Sequence, residues 1–129
     1  MSDYTIVNLL ELDDSVQGRA PGVEGRFART ALGSRDLGVS HWRYAPNTRS
    51  AVGHRHREQE EAYLVISGSG RVLLGGDVRD LRPWDVVRVA PETLRAFESG
   101  PEGLELIAIG GPKPEGGDGE MTDAPWPES

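Results

Sequence analysis

From Val39 onward the chain alternates short apolar runs with polar or glycine-rich breaks. Val39 to Tyr44 stops at Pro46-Asn47, and Glu61 to Ile66 stops at Ser67-Gly68-Ser69-Gly70. Arg71 to Leu74 and Val78 to Leu81 flank Gly75-Gly76-Asp77, a strong hairpin signal because glycine reaches positive φ without steric cost. Asp85 to Val89, Leu94 to Glu98 and Leu104 to Ile109 complete the series. No stretch of about 11 residues holds a 3.6-residue apolar period without meeting glycine or proline, so helices are not expected. Many short strands joined by tight turns predict an all-β antiparallel sandwich or barrel. Ahead of this series, Thr5 to Leu10 predicts an opening strand, followed by irregular chain through Ala20-Pro21-Gly22. The expected organisation is therefore an N-terminal strand and irregular arm (1–37), a barrel core (38–111) and a Pro/Gly/acid-rich tail (112–129). The tail is expected to be partly disordered, or docked onto the body through Met121 and Trp126.

Composition narrows the function classes. In 129 residues there are 17 glycines and 9 prolines, placed between the apolar runs as turns rather than spread as in a disordered chain. The absence of cysteine excludes a disulfide scaffold, a thiolate zinc site and a cysteine nucleophile. A net charge of −7 argues against nucleic acid or an anionic membrane as partner. The start of the chain carries neither a basic run nor an apolar stretch of signal-peptide type, which points to a cytoplasmic protein.

Three histidines are present, and His54 and His56 stand two apart. In extended chain, residues two apart project to the same face. A polar turn, Arg57-Glu58-Gln59-Glu60, then leads to Glu61 at the head of an apolar run. Two imidazoles and a carboxylate brought together by adjoining strands form a facial set suited to a divalent ion such as Fe, Mn, Ni or Zn. His-x-His alone is more often a solvated pair; the carboxylate opening the next strand is what raises it to a metal-site candidate. His41 shares its parity with Arg43, opposite Trp42 and Tyr44, and is expected on the outer face.

The run from His54 to Gly68 resembles the first motif of the cupin superfamily: His-x-His, four residues, Glu61, six residues, Gly68. Glu61 rather than Glu60 is the matching carboxylate, since with it alone six residues intervene before Gly68, and Glu60 then points away from the site. The motif's opening glycine is replaced by Thr48, beside Asn47, which tolerates the left-handed conformation. The second cupin motif falls on Trp84, Ala90, Glu92, Arg95 and Ser99, and differs at all five named positions. The resemblance covers roughly Leu37 to Ile109. It implies a double-stranded β-helix, or jelly-roll β-barrel, often dimeric, that binds a metal ion and a small molecule. Its chemistry would be of oxygenase, isomerase, epimerase or decarboxylase type.

Arg95 replaces the family's fourth ligand, a histidine, and a guanidinium cannot donate a lone pair to a metal. Three arrangements follow. His54, His56 and Glu61 hold the ion alone, with Arg95 clamping an anionic substrate bidentately. Alternatively Arg95 pairs with Glu61 inside the barrel and replaces the ion, giving a non-catalytic, small-ligand-binding barrel. Finally, Arg95 swings out to solvent. Tyr63, Phe97 and Trp84 are the expected substrate-facing walls, with ordinary core packing as the alternative for each. Glu61 to Ile66 is apolar on both faces, as a strand covered by a second subunit would be, so a homodimer is expected.

Overall fold

The computed structural model describes residues 3–128. Its architecture rests on two long strands, β4 (Glu61–Leu74) and β7 (Arg95–Gly110), which pair antiparallel from Glu61↔Gly110 to Leu74↔Arg95. Both bend where glycines sit: Gly68 has φ +82° and Gly103 φ +79°. The register slips there, between Val65 and Ser67 and again between Gly68 and Gly70. A Cβ on Gly68 would stand 2.1 Å from Gly103 O, so only glycine lets the two backbones cross this closely. The sequence pattern divides each of these strands in two. The correction is that the ladder resumes in the same direction beyond the bend, so these glycines turn the strand from one face of the barrel to the other without reversing it.

The remaining strands attach on either side of the bend. On one side lie β1 (Val23–Phe27), β2 (Gly38–Tyr44), the C-terminal half of β7, the N-terminal half of β4, and β6 (Val86–Val89). On the other lie β8 (Gly119–Asp123), β3 (Val52–His56), the start of β7, the end of β4, and β5 (Asp77–Leu81). Together they form one continuous eight-stranded sheet curled into an all-β jelly roll. The hairpin at Gly75-Gly76 is present, with Leu74 opposite Asp77. Inward residues of both sides, among them Val23, Tyr44, Tyr63, Val65, Val72, Phe97, Leu104 and Leu106, interlock as a single core.

The expectation of an opening strand is corrected. Thr5 to Leu10 forms no strand; it carries a 3-10 turn at Leu9–Glu11, and Ile6 is 87 % exposed. The strand alongside β2 is instead β1, drawn from the segment expected to be irregular, where Val23 and Gly25 alternate toward the interior. At the other end, residues 119–123 of the expected tail form β8, which pairs with β3 along its whole length. Its one glycine, Gly119, stands at the first position, and the ladder runs unbroken from there. A four-residue helix, Arg29–Leu32, not foreseen from the pattern, links β1 to β2 and ends at Gly33 in the left-handed conformation (φ +65°).

Candidate metal centre

His54 and His56 close β3 and Glu61 opens β4, so a four-residue turn brings the three side chains to one point. Glu61 Oε1 is that point: His54 Nε2 is 3.2 Å away and His56 Nε2 3.3 Å. One ligand atom from each of the three lies within 4.8 Å of the others, and the imidazoles meet edge to face with centroids 5.2 Å apart. Metal–ligand bonds of about 2.1 Å place neighbouring ligand atoms roughly 3.0–3.4 Å apart in octahedral or tetrahedral geometry. The two nitrogen–oxygen separations, 3.2 and 3.3 Å, fall in that range. Glu60, as parity requires, points outward and pairs with Arg88 at 2.9 Å.

The protonation pattern fits as well. His56 Nδ1 lies 2.9 Å from Asp118 Oδ1, and an ionised carboxylate can only accept, so Nδ1 carries the proton. In the neutral ring, Nε2 then presents a lone pair. Nε2 is buried without a hydrogen-bond partner, facing Glu61 Oε1. Two acceptors 3.3 Å apart repel unless a cation lies between them, so this orphaned nitrogen suits a metal ion. Burial works against charge on Glu61, but hydrogen bonds from His54 and Tyr63 and the nearby imidazoles outweigh it and hold the carboxyl down at about 2. Asp118 is likewise held at about 2: burial opposes its charge, and the Glu58 amide, His56 and the Gln59 amide overcome it.

Tyr63, expected as a wall, reaches the site itself. Its hydroxyl donates to Glu61 Oε1 at 2.5 Å and lies 3.4 Å from His54 Nε2. Burial first, and then the charge of Glu61, push its pKa well above the usual phenol range, so it stays an O–H. Phe97 packs beneath, its ring 4.9 Å from that of Tyr63, as core. Trp84 is not brought to the site. It stands in the turn between β5 and β6, 73 % exposed, with φ +76°. A bulky residue in that left-handed conformation directs its ring to solvent rather than into the barrel.

Arg95 is fully buried opposite His54, which excludes the swung-out arrangement. The expected bidentate clamp is not available either. Its two terminal nitrogens are taken by backbone carbonyls, Ala90 O at 3.2 Å and Pro91 O and His54 O at 3.4 Å. Two of those carbonyls also accept backbone amides, Pro91 O from His56 N at 2.7 Å and Ala90 O from Thr93 N at 3.1 Å, so the fork adds a second donor to the turn that leads into β7. Only Nε faces the cluster, unpartnered and 4.0 Å from Glu61 Oε1, too far for a hydrogen bond yet close enough to offset charge. His41 lies on the outer face but is buried there, 2.5 Å from Glu105 Oε2. Two surface grooves, of about 470 and 510 Å³, include none of the three cluster residues. Asp118 was not foreseen. It lies 62 residues from His56 in a glycine-rich segment, and only the β3–β8 register brings it in.

The cupin-domain family model matches residues 40–110, the span that holds β2 to β7 and the His54–His56–Glu61 cluster. This chain belongs to the cupin family. Solved structures of similar fold include a cupin protein from Bacteroides fragilis (18 % identity, TM-score 0.71, covering 87 % of this chain and 86 % of that one). A sugar phosphate isomerase of the cupin superfamily from Silicibacter pomeroyi is similar at 16 % identity and TM-score 0.72, covering 92 % of each chain. A polyketide cyclase from Streptomyces resistomycificus is similar at 20 % identity and TM-score 0.67, over 84 % of this chain and 78 % of that one. At such identities the likeness is one of fold. No protein with a curated description matches the sequence. Among the described residues no helix is long and apolar enough to cross a membrane.

Proposed function

We propose that this cupin holds a divalent first-row metal ion at His54, His56 and Glu61 and acts on a small anionic organic molecule as an oxygenase or isomerase-type enzyme. The observation that carries this reading is the confrontation of His56 Nε2 with Glu61 Oε1, two acceptors 3.3 Å apart with the imidazole proton committed to Asp118. When bound, such an ion supplies Lewis acidity and open coordination positions for an oxygen ligand. Glu61 and Asp118 bring two negative charges and Arg95 one positive, so a divalent ion leaves the cluster one charge positive. An anionic substrate oxygen restores neutrality. The Tyr63 O–H donates to Glu61 Oε1 at 2.5 Å and fixes the orientation of that ligand oxygen. Arg95 acts through its fixed charge, its fork being tied to the backbone.

A second, metal-free reading is favoured by one observation, the 4.0 Å approach of Arg95 Nε to Glu61 Oε1, which would leave a small-ligand-binding barrel without catalysis. Elemental analysis of untagged protein decides between them. About one ion per chain is expected; less than about 0.1 per chain after incubation with Fe(II), Mn(II), Ni(II) and Zn(II) overturns the metal reading. We further take the chain to pair with a second copy through the outer face on which Val86 (65 % exposed) and Ile109 (43 %) lie on rows flanking β4. Light scattering should return twice the 14.0 kDa chain mass.

A further inference from the structure

We propose that Asp118 is a positioning residue that locks His56 in the Nδ1–H tautomer, and that the C-terminal strap carrying it (residues 112–123) is a working part of the metal centre although it lies outside the matched cupin span. The proposal rests on the metal reading above for its purpose, and on geometry for its content. The strand bearing both imidazoles is weakly held by the barrel: β3 meets β7 in register only at His54↔Arg95. Its continuous neighbour is β8, from Val52↔Asp123 to His56↔Gly119. Without the strap, β3 would be an edge strand with a nearly free ladder on both sides.

Asp118, one residue before β8, is buried to 4 % exposure and all its bonds go to the β3–β4 connection. Oδ1 accepts from His56 Nδ1 at 2.9 Å, while Oδ2 accepts from the amides of Glu58 at 2.7 Å and Gln59 at 2.9 Å. The two amides fix the carboxylate, and the carboxylate fixes the ring. A proton held at Nδ1 keeps the Nε2 lone pair turned toward Glu61, where a metal needs it. The same bonds clamp the turn that sets the spacing between His56 and Glu61. Gln59 adds a second tie, its side-chain amide donating to Gly111 O at 3.1 Å.

Asp118→Asn separates positioning from bulk support. The asparagine oxygen can still accept from the Glu58 and Gln59 amides, but its NH₂ then faces His56 Nδ1 as a donor and favours the Nε2–H tautomer, which cannot ligate. Two readouts are needed: ¹⁵N–¹H correlation of the histidine rings in chelator-stripped full-length protein at pH 8, and titration with Zn(II) against a competing chelator. The expected result is a Nδ1–H ring in the parent, loss of that tautomer in Asp118→Asn, and zinc affinity lower by about 10–100-fold. The parent spectrum decides even if the variant does not fold: a His56 ring carrying its proton on Nε2, or on both nitrogens, overturns the proposal. If zinc binds parent and variant alike and the tautomer is unchanged, Asp118 loses its role while the metal reading stands. If the tautomer changes but neither protein takes up zinc, the metal reading falls and the positioning role remains.

Discussion

The Tyr63 hydroxyl donates to Glu61 Oε1 at 2.5 Å, the same oxygen on which both imidazoles close. A hydrogen bond to a buried charge contributes about 1.5–3 kcal/mol, roughly twice the value of a neutral pair. Tyr63→Phe keeps the ring packed on Phe97 and removes only this donor. Metal-free protein should lose about 1.5–3 kcal/mol in urea melts. A loss no larger than a few tenths would mean that Glu61 is satisfied without Tyr63.

Glu61 titrates near 2 in the folded chain against 4.5 for an unperturbed glutamate, so between those values the unfolded chain binds more protons than the folded one. The stability this carboxylate contributes is complete above about pH 4.5 and drains away as pH falls toward 2. Asp118 contributes with the same sign. Unfolding free energies of metal-free protein measured from about pH 6 down to 3 should fall with a slope that Glu61→Gln makes shallower. An unchanged slope in that variant would show that Glu61 is not held in its ionised form by the cluster.

Arg95 both blocks and supports. Its cation stands where a fourth ligand would, 4.0 Å from Glu61, while its fork donates to three backbone carbonyls. Arg95→His should therefore move two measurements in opposite directions. Removing the charge and adding a nitrogen ligand raises Zn(II) affinity, by at least about tenfold for one added ligand. Losing the guanidinium's hydrogen bonds lowers stability by about 0.5–1.5 kcal/mol for each bond removed, because Ala90 O and Pro91 O keep their backbone donors. A variant that melts at the parent temperature with no gain in zinc affinity would mean that Arg95 is neither obstacle nor support.

Trp84 shows where sequence and structure part. It falls on the opening glycine of the degenerate second motif, and the chain there keeps a glycine-like φ of +76° although the residue has changed. Its aromatic character predicts a pocket wall, but backbone conformation, not residue type, sets where the ring points. Asn47, read from its tolerance of left-handed backbone, has φ +53°. The His54–His56–Glu61 set was legible because spacing two on a strand and a carboxylate heading the next are local facts. Asp118 and β8 were not, since they depend on a ladder closed across more than 60 residues between His56 and the tail. Trp84→Gly should relieve the backbone strain, of order 1–3 kcal/mol less the entropy of glycine, and raise the melting temperature by a few degrees. Zinc affinity should stay as in the parent; a changed affinity would place Trp84 at the site after all.

Trp126 is the fastening of the C-terminal strap. Every residue of β8 is exposed, so its own side chains add little to hold it on β3. Beyond it, Trp126 Nε1 donates to Ser50 O at 2.8 Å, and the ring lies under two guanidinium groups, Arg49 at 4.8 Å and Arg71 at 5.8 Å. Those arginines are themselves gathered by Glu98, with Arg49 Nε at 2.5 Å and Arg71 Nη2 at 2.7 Å. Two partly exposed cation–π contacts and one hydrogen bond are together worth about 2 kcal/mol, or roughly 30-fold in a local opening equilibrium. Trp126→Ala should therefore speed hydrogen exchange of the β8 amides by that factor while leaving exchange in the β4–β7 ladder unchanged. Because a strap that opens more often exposes Asp118, zinc should also dissociate faster from this variant, although every ligand and its hydrogen-bond partner is retained. Equal exchange in parent and variant would mean that β8 is held by its ladder alone and that Trp126 merely rests on the surface.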